Sequence, residues 1–255
     1  MNFKIKESIK ILFILLLSIP SVCYGQWFMD EAEIEAVNIS SDEFINEKGN
    51  ITNKQFSVKS RVISDELVEK SFFDKKKMLV GKRYYDQYGD LYYDNYGVAI
   101  YEYKYDEIGN RVEVKYFNEN KIPFQINFIG PATINYNYDK KNRIIRISYF
   151  NASGDLSGSM GSAVIEYKYD EKNRIIAETR LNDEEEPIDF FAPLIKYQYD
   201  EDNRVIEKSY HTAEGQLASR MLDDEDDPTA IIKLDYLGGQ VVAAFYDKNN
   251  QLLKG

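Results

Sequence analysis

The sequence predicts an all-β fold of tandem antiparallel β-hairpin repeats, about six units forming an elongated twisted sheet or solenoid. Three observations predict it. A strand-like segment ending in an aromatic residue recurs at positions 73, 105, 138, 169, 199 and 236, at spacings of 32, 33, 31, 30 and 37 residues. Each copy alternates apolar or aromatic with polar residues, the period-two signature of a half-buried strand. Most copies are followed by a tetrapeptide that begins with Asp and ends with Asn or Gly, residues that tolerate the positive φ of a hairpin turn. Composition agrees: 21 Tyr and 14 Phe against one Trp favour strand over helix.

Residues 1–25 stand apart. Lys4, Lys6 and Lys10 precede an apolar run from Ile11 to Ile19 that Pro20 interrupts, and small or neutral residues lead to Gly25 and Gln26. These are the charged, apolar and cleavage regions of a secretory signal peptide. The run is too short to span a bilayer comfortably, so no membrane span is expected after cleavage. Val22 stands where a lipoprotein signal carries a small residue, which favours cleavage after Gly25. The destination is therefore exported: periplasm, cell surface or secreted. Cys23, the only cysteine, falls inside the signal, leaving a mature chain that relies on core packing rather than disulfides.

Residues 26–66 do not repeat and read as an N-terminal cap or tether. Glu31 to Val37 suits a short helix or a strand, Gly49-Asn50 marks a turn, and Phe56 to Val62 alternates like a strand. A terminal unit of this kind shields the first edge of a repeat array.

The repeat domain spans 67–255. Its first strands are Tyr101-Glu102-Tyr103-Lys104-Tyr105, Ile134-Asn135-Tyr136-Asn137-Tyr138, Ile165-Glu166-Tyr167-Lys168-Tyr169 and Ile195-Lys196-Tyr197-Gln198-Tyr199, with a weaker copy at Ile232 to Tyr236 and a degenerate one ending at Phe73. Turns follow at Asp106 to Gly109, Asp139 to Asn142, Asp170 to Asn173 and Asp200 to Asn203. Second strands run Val112 to Phe117, Ile144 to Phe150, Ile175 to Leu181 and Val205 to His211. The aromatic near the end of this strand lies ten residues after the turn Asp at Tyr84, Tyr116, Tyr149 and Tyr210, and Arg180 takes its place once. A second turn and a variable return segment complete the unit. One unit cannot bury its aromatic face alone, and stacking on neighbours supplies the core.

The run Tyr-x-Tyr-Asp-x-x-Asn/Gly-Arg, as in Tyr167 to Arg174 and Tyr197 to Arg204, resembles the YD repeats of RHS-type bacterial surface proteins. The resemblance covers about three quarters of the chain. It implies a β-hairpin repeat architecture used as a shell or an adhesive stalk, although six units are too few for a shell and no toxin domain follows.

The net charge of −11 and the lack of a basic patch argue against nucleic acid as a partner. His211 is the only histidine, which removes the usual participant of most general-base and zinc schemes. The recurring turn aspartates suit turn capping better than catalysis. Two acidic runs, Asp183 to Glu186 and Asp223, Asp224, Glu225, Asp226 and Asp227, supply dense oxygen ligands of the kind Ca²⁺ takes, but lack the alternation and glycine of an EF-hand loop. No cofactor is expected, with Ca²⁺ the ion to test. The candidate ligand-binding residues are Tyr85, Tyr88, Tyr92, Tyr93 and Tyr96, rings able to stack on sugar or peptide. The expected function is a binding or structural module, not an enzyme, contacting protein or glycan at the cell envelope or outside it. The alternative is a carbohydrate-active enzyme using carboxylates in the variable loops.

Overall fold

The structure, a computed structural model, describes residues 35–45, 51–64, 66–128, 130–158, 162–222 and 227–253, with side chains from Phe56 onward except Phe128. Residues 1–25, expected to be a signal peptide, and Asp223, Asp224 and Asp226 of the expected calcium set lie outside the described residues.

The described residues form an all-β fold without an α-helix. Fourteen strands hydrogen-bond in the order of the chain: β1 Glu35–Ile45, β2 Ile51–Ser64, β3 Leu67–Phe73, β4 Leu79–Asp86, β5 Ile100–Tyr105, β6 Arg111–Phe117, β7 Thr133–Tyr138, β8 Ile144–Phe150, β9 Val164–Tyr169, β10 Ile175–Leu181, β11 Leu194–Tyr199, β12 Val205–His211, β13 Ile231–Leu237 and β14 Gln240–Tyr246. The described part of the segment read as helix or strand, residues 35–37, belongs to β1. The chain forms two compact units, one comprising 31–164 with 182–185 and the other 165–181 with 186–255.

One local device builds both units. At the hairpins whose turns open with Asp74, Asp106, Asp139, Asp170 and Asp200, that residue donates its N–H to the carbonyl four residues on and caps the turn with its side-chain Oδ1. Asp106 accepts the backbone N–H groups of Ile108 and Asn110 at 3.1 and 2.8 Å, and Asp139 those of Lys141 and Arg143 at 2.8 and 3.0 Å. The fourth residue is left-handed: Gly109 at φ 98, Asn142 at 60, Asn173 and Asn203 at 64. Related turns close the second half of each unit, twelve residues later, at Asp86, Asn118, Asn151, Asn182 and Thr212; the first four are capped by their side chains, and the Thr212 turn is closed by backbone bonds without a cap from the Thr212 hydroxyl. Lys77, Lys121 and Glu185 hold the left-handed place in three turns. A register shift precedes the last aromatic of β3, β5, β7 and β11, so the strand enters each turn through a bulge.

The two tyrosines of Tyr-x-Tyr have different tasks. The first packs inward: Tyr197 is buried, and Tyr103 and Tyr136 pack against the cluster of Val98, Val114 and Tyr116. The second reaches back to the preceding hairpin. Tyr105 donates its hydroxyl to the Leu79 carbonyl at 2.7 Å and Tyr138 to Arg111 at 2.8 Å in one unit. Tyr199 does so to Ile175 at 2.7 Å and Tyr236 to Val205 at 2.9 Å in the other. Each bond satisfies a carbonyl at the start of a second strand and fixes the distance between hairpins. The arginine after the turn completes the junction. Arg174 and Arg204 hold their turn aspartates at 2.7 Å and lay their guanidinium groups over Tyr199 and Tyr236.

The variable return segment touches the sheet at one recurrent point. Leu91, Pro123, Leu156, Pro187, Leu217 and Leu252 each bridge the strand-end residue six positions earlier.

Candidate functional site

Two places depart from the repeat pattern, and each is assembled by the turns and strands just described. The first is the connection from β4 to β5, which holds two capped turns where other units hold one. Asp86 caps the turn through Gly89, and Asp94 caps a second through Gly97, at φ 90 and 78. Tyr88 and Tyr96 fill the same third position of these two turns and therefore project outward. Tyr88 is 82% exposed, and Tyr92, Tyr93 and Tyr96 are 42–47% exposed.

Of the five tyrosines expected to bind a ligand, the structure brings Tyr92 and Tyr93 together. Their rings stack at 4.3 Å between centroids with a 20° interplanar angle, and Tyr92 donates its hydroxyl to Tyr93 at 3.3 Å. That hydrogen bond raises the Tyr92 pKa. Tyr88 and Tyr96 flank the pair without a ring contact to it among the described residues. Tyr85 is engaged differently: it is partly buried beneath the Lys70 ammonium, 4.4 Å from its ring centroid.

The base of this patch is rigid. The Asp94 carboxylate, besides capping its turn, accepts the Tyr101 hydroxyl. Tyr84 donates to Glu69 at 2.8 Å, and Lys82 pairs with the same carboxylate at 3.2 Å. Tyr84 and Tyr101 stay protonated far into the alkaline range, chiefly through burial and then through these carboxylates. Gly97 lies against the Phe124 ring, where a Cβ would come within 3.0 Å, and the Asn127 N–H donates to the Tyr96 carbonyl. The turn carrying Tyr96 thus rests on the return segment of the following hairpin.

The second departure lies in β10, β11 and β12. Glu178 is completely buried, at 0% exposure, on a strand position that is Val114 in β6 and Ile147 in β8. Arg180 donates to its carboxylate at 2.7 Å, and the Tyr197 hydroxyl stands 3.5 Å away. Lys208, at the same strand position of β12, is buried between the rings of Tyr197 and Tyr210 at 5.8 and 5.3 Å. Burial lowers its pKa to about 8, Arg180 and Arg220 push the same way, and Glu178 opposes them. Burial raises Tyr210 to about 12, and its hydroxyl has no hydrogen-bond partner. Sequence reasoning noted Arg180 as a break in the aromatic column but did not connect it with Glu178 two residues earlier. Those two breaks on one strand face were the available signal.

The remaining candidates are structural in their contacts. Asp227, the one described member of the proposed calcium set, pairs with Arg220 and accepts the Thr229 N–H at 3.3 Å. Among the described residues no group of three or more His, Cys, Asp or Glu side chains is placed to hold a metal ion. The His211 ring bonds Ser209 at 2.9 Å and the Gly215 carbonyl at 3.0 Å, and burial lowers its pKa.

No family description matches the chain, and no curated protein matches it. Among solved structures, the chain is similar to the crystal structure titled TcdB2-TccC3-TEV, at 14% sequence identity and a TM-score of 0.40. The match covers 81% of this chain and 11% of that one, so the chain spans about a ninth of that structure's length.

Proposed function

We propose that this chain is an exported, non-enzymatic binding module that holds a glycan against the tyrosine patch of the β4–β5 connection. One observation carries the reading: the connection exposes a stacked Tyr92–Tyr93 pair, with exposed Tyr88 and Tyr96 in the capped turns before and after it in the chain. Sugar faces stack on such rings, and the phenolic hydroxyls add hydrogen bonds at a modest entropic cost. The network of Glu69, Tyr84, Asp94 and Tyr101 beneath the patch fixes its shape before a ligand arrives. Export rests on the charged and apolar segments of residues 4–25, and the envelope setting on the YD-type motif.

The test is a glycan array probed with the chain in the presence and absence of Ca²⁺. The expected result is saturable, calcium-independent binding that falls at least tenfold in Tyr88→Ala/Tyr93→Ala while the melting temperature is retained. Absence of binding by folded protein under both conditions overturns the glycan reading and moves the search to a protein partner. Release of new reducing ends from a bound glycan would instead support an enzyme.

A further inference from the structure

Four junctions between hairpins, those that follow β4, β6, β10 and β12, are made in one way. Three residues of a second strand pair with three of the next first strand: Gly81 to Arg83 with Ile100 to Glu102, and Glu113 to Lys115 with Thr133 to Asn135 in one unit. In the other unit, Ala177 to Thr179 pair with Leu194 to Lys196, and Glu207 to Ser209 with Ile231 to Lys233. The next residue of the second strand donates its N–H to a small residue or Pro: Tyr84 to Ala99, Tyr116 to Ala132, Arg180 to Pro193 and Tyr210 to Ala230. Six residues beyond that acceptor, a tyrosine hydroxyl reaches the carbonyl that opens the second strand, as Tyr236 does to Val205.

β14 is a second strand with all of these fittings. Its terminal Tyr246 bridges Leu252 as His211 bridges Leu217, and Leu253 donates to the Phe245 carbonyl as Ala218 donates to Tyr210. Phe245 pairs with Ile232 as Tyr210 pairs with Ile195. The correspondence places Val242, Ala243 and Ala244 where Glu207, Lys208 and Ser209 receive a strand, and Gln240 where Val205 receives a tyrosine. Among the described residues β14 pairs as a strand only with β13. Val242 is 50% exposed, and the run Gln240–Tyr246 carries no charge or proline to blunt the edge.

We propose that the outer edge of β14 is a docking site for a β-strand of the Tyr-x-Tyr type donated by a second polypeptide. The Phe245 N–H donates to the carbonyl of a small residue in that strand. Val242 to Ala244 pair with its next three residues, and the Gln240 carbonyl receives the hydroxyl of the tyrosine six residues after the small one. Main-chain bonds supply the affinity and the tyrosine supplies the register. The partner is identified by its sequence pattern, small-x-apolar-x-Tyr-x-Tyr, which the four described junctions of this chain display or approximate.

The probe is a capped peptide of residues 131–139, Pro-Ala-Thr-Ile-Asn-Tyr-Asn-Tyr-Asp, titrated into the full chain by fluorescence anisotropy, with hydrogen exchange as the locator. The expected result is saturable binding with slowed exchange confined to residues 240–246. A peptide with Tyr138→Phe should bind about fivefold more weakly, as loss of one hydrogen bond implies, and one N-methylated at Ile134 should not bind detectably. On the protein side Phe245→Pro, which removes the outward N–H, should abolish binding. Because the altered peptides leave the protein untouched, misfolding of that variant does not blunt the test. No saturable binding, equal binding of the N-methylated peptide, or protection elsewhere in the chain would each overturn the proposal.

Discussion

Strands β6 and β8 in one unit and β10 and β12 in the other each follow the same capped Asp turn, yet their interiors differ in kind. Eight residues after the turn aspartate stand Val114 and Ile147 in the first pair, but Glu178 and Lys208 in the second. Ten residues after it stand Tyr116 and Tyr149, against Arg180 and Tyr210. The backbone is the same in both, so the repeat is specified by its turns and junctions rather than by an apolar interior at every unit. The charged column persists because its members compensate one another, Arg180 holding Glu178 at 2.7 Å.

The comparison breaks first if the charges stop compensating. Arg180→Ala should destabilise the protein by roughly 3 kcal/mol or more, because it strips the direct ion-pair partner from a buried carboxylate. Urea denaturation measures it. The variant Glu178→Ile/Arg180→Tyr/Lys208→Ile, which restores the interior of the other pair, should match or exceed the parent, since packed apolar residues often equal a buried ion pair. A large loss there would show that the charges specify this region's structure.

Turn substitutions should act alike in both regions. Asn142→Val and Asn173→Val each place a β-branched residue at φ near +60 and should cost about 1–2 kcal/mol. Asn→Gly at either site should be close to neutral by thermal melting. Smaller again are Tyr138→Phe and Tyr199→Phe, which remove one hydroxyl bond each and should cost about 1 kcal/mol apiece. Unequal losses within either pair of substitutions would mean that the two regions do not share one junction chemistry.

An effect of another kind is a pH slope confined to the charged column. Lys208 in the folded protein releases its proton near pH 8, whereas the unfolded chain keeps its proton to about the ordinary 10.5. Between those values the unfolded state binds more protons, so this group makes stability rise with pH. Below pH 8 both states are charged and the burial penalty is fully present. Above pH 10 the buried tyrosines reverse the trend, since they stay protonated when the unfolded chain ionises. Denaturation midpoints between pH 7.5 and 9.5 should therefore rise in the parent and stay flat in Lys208→Met.

Much of this architecture was legible because its determinants are local. An Asp followed three residues later by Asn or Gly marks a turn, and strands between such turns have little freedom of register. The second strands beginning at Ile144, Ile175 and Val205 start and stop where the sequence placed them. Less legible were features made by residues distant in the chain. Lys77, Lys121 and Glu185 occupy left-handed turn positions that residue type alone does not announce. The density of tyrosines from Tyr84 to Tyr96 marked the segment, but the stacking of Tyr92 on Tyr93 is a feature of the folded backbone that residue type does not reveal. Glu178 reads as one more polar residue in an alternating strand, because its burial beside its cross-strand partner Ile195 is set by the neighbouring hairpins and not by its own segment.

Strand order that follows chain order also governs how the molecule resists force. Each strand is gripped by its sequence neighbours, so tension applied at an end reaches one hairpin before the rest. The sheet should therefore unravel in steps of a single hairpin at low force, unlike a sandwich whose first and last strands shear together. Re-pairing needs only short-range closure, which favours rapid recovery once the load is released. A protein built this way yields under strain and reassembles.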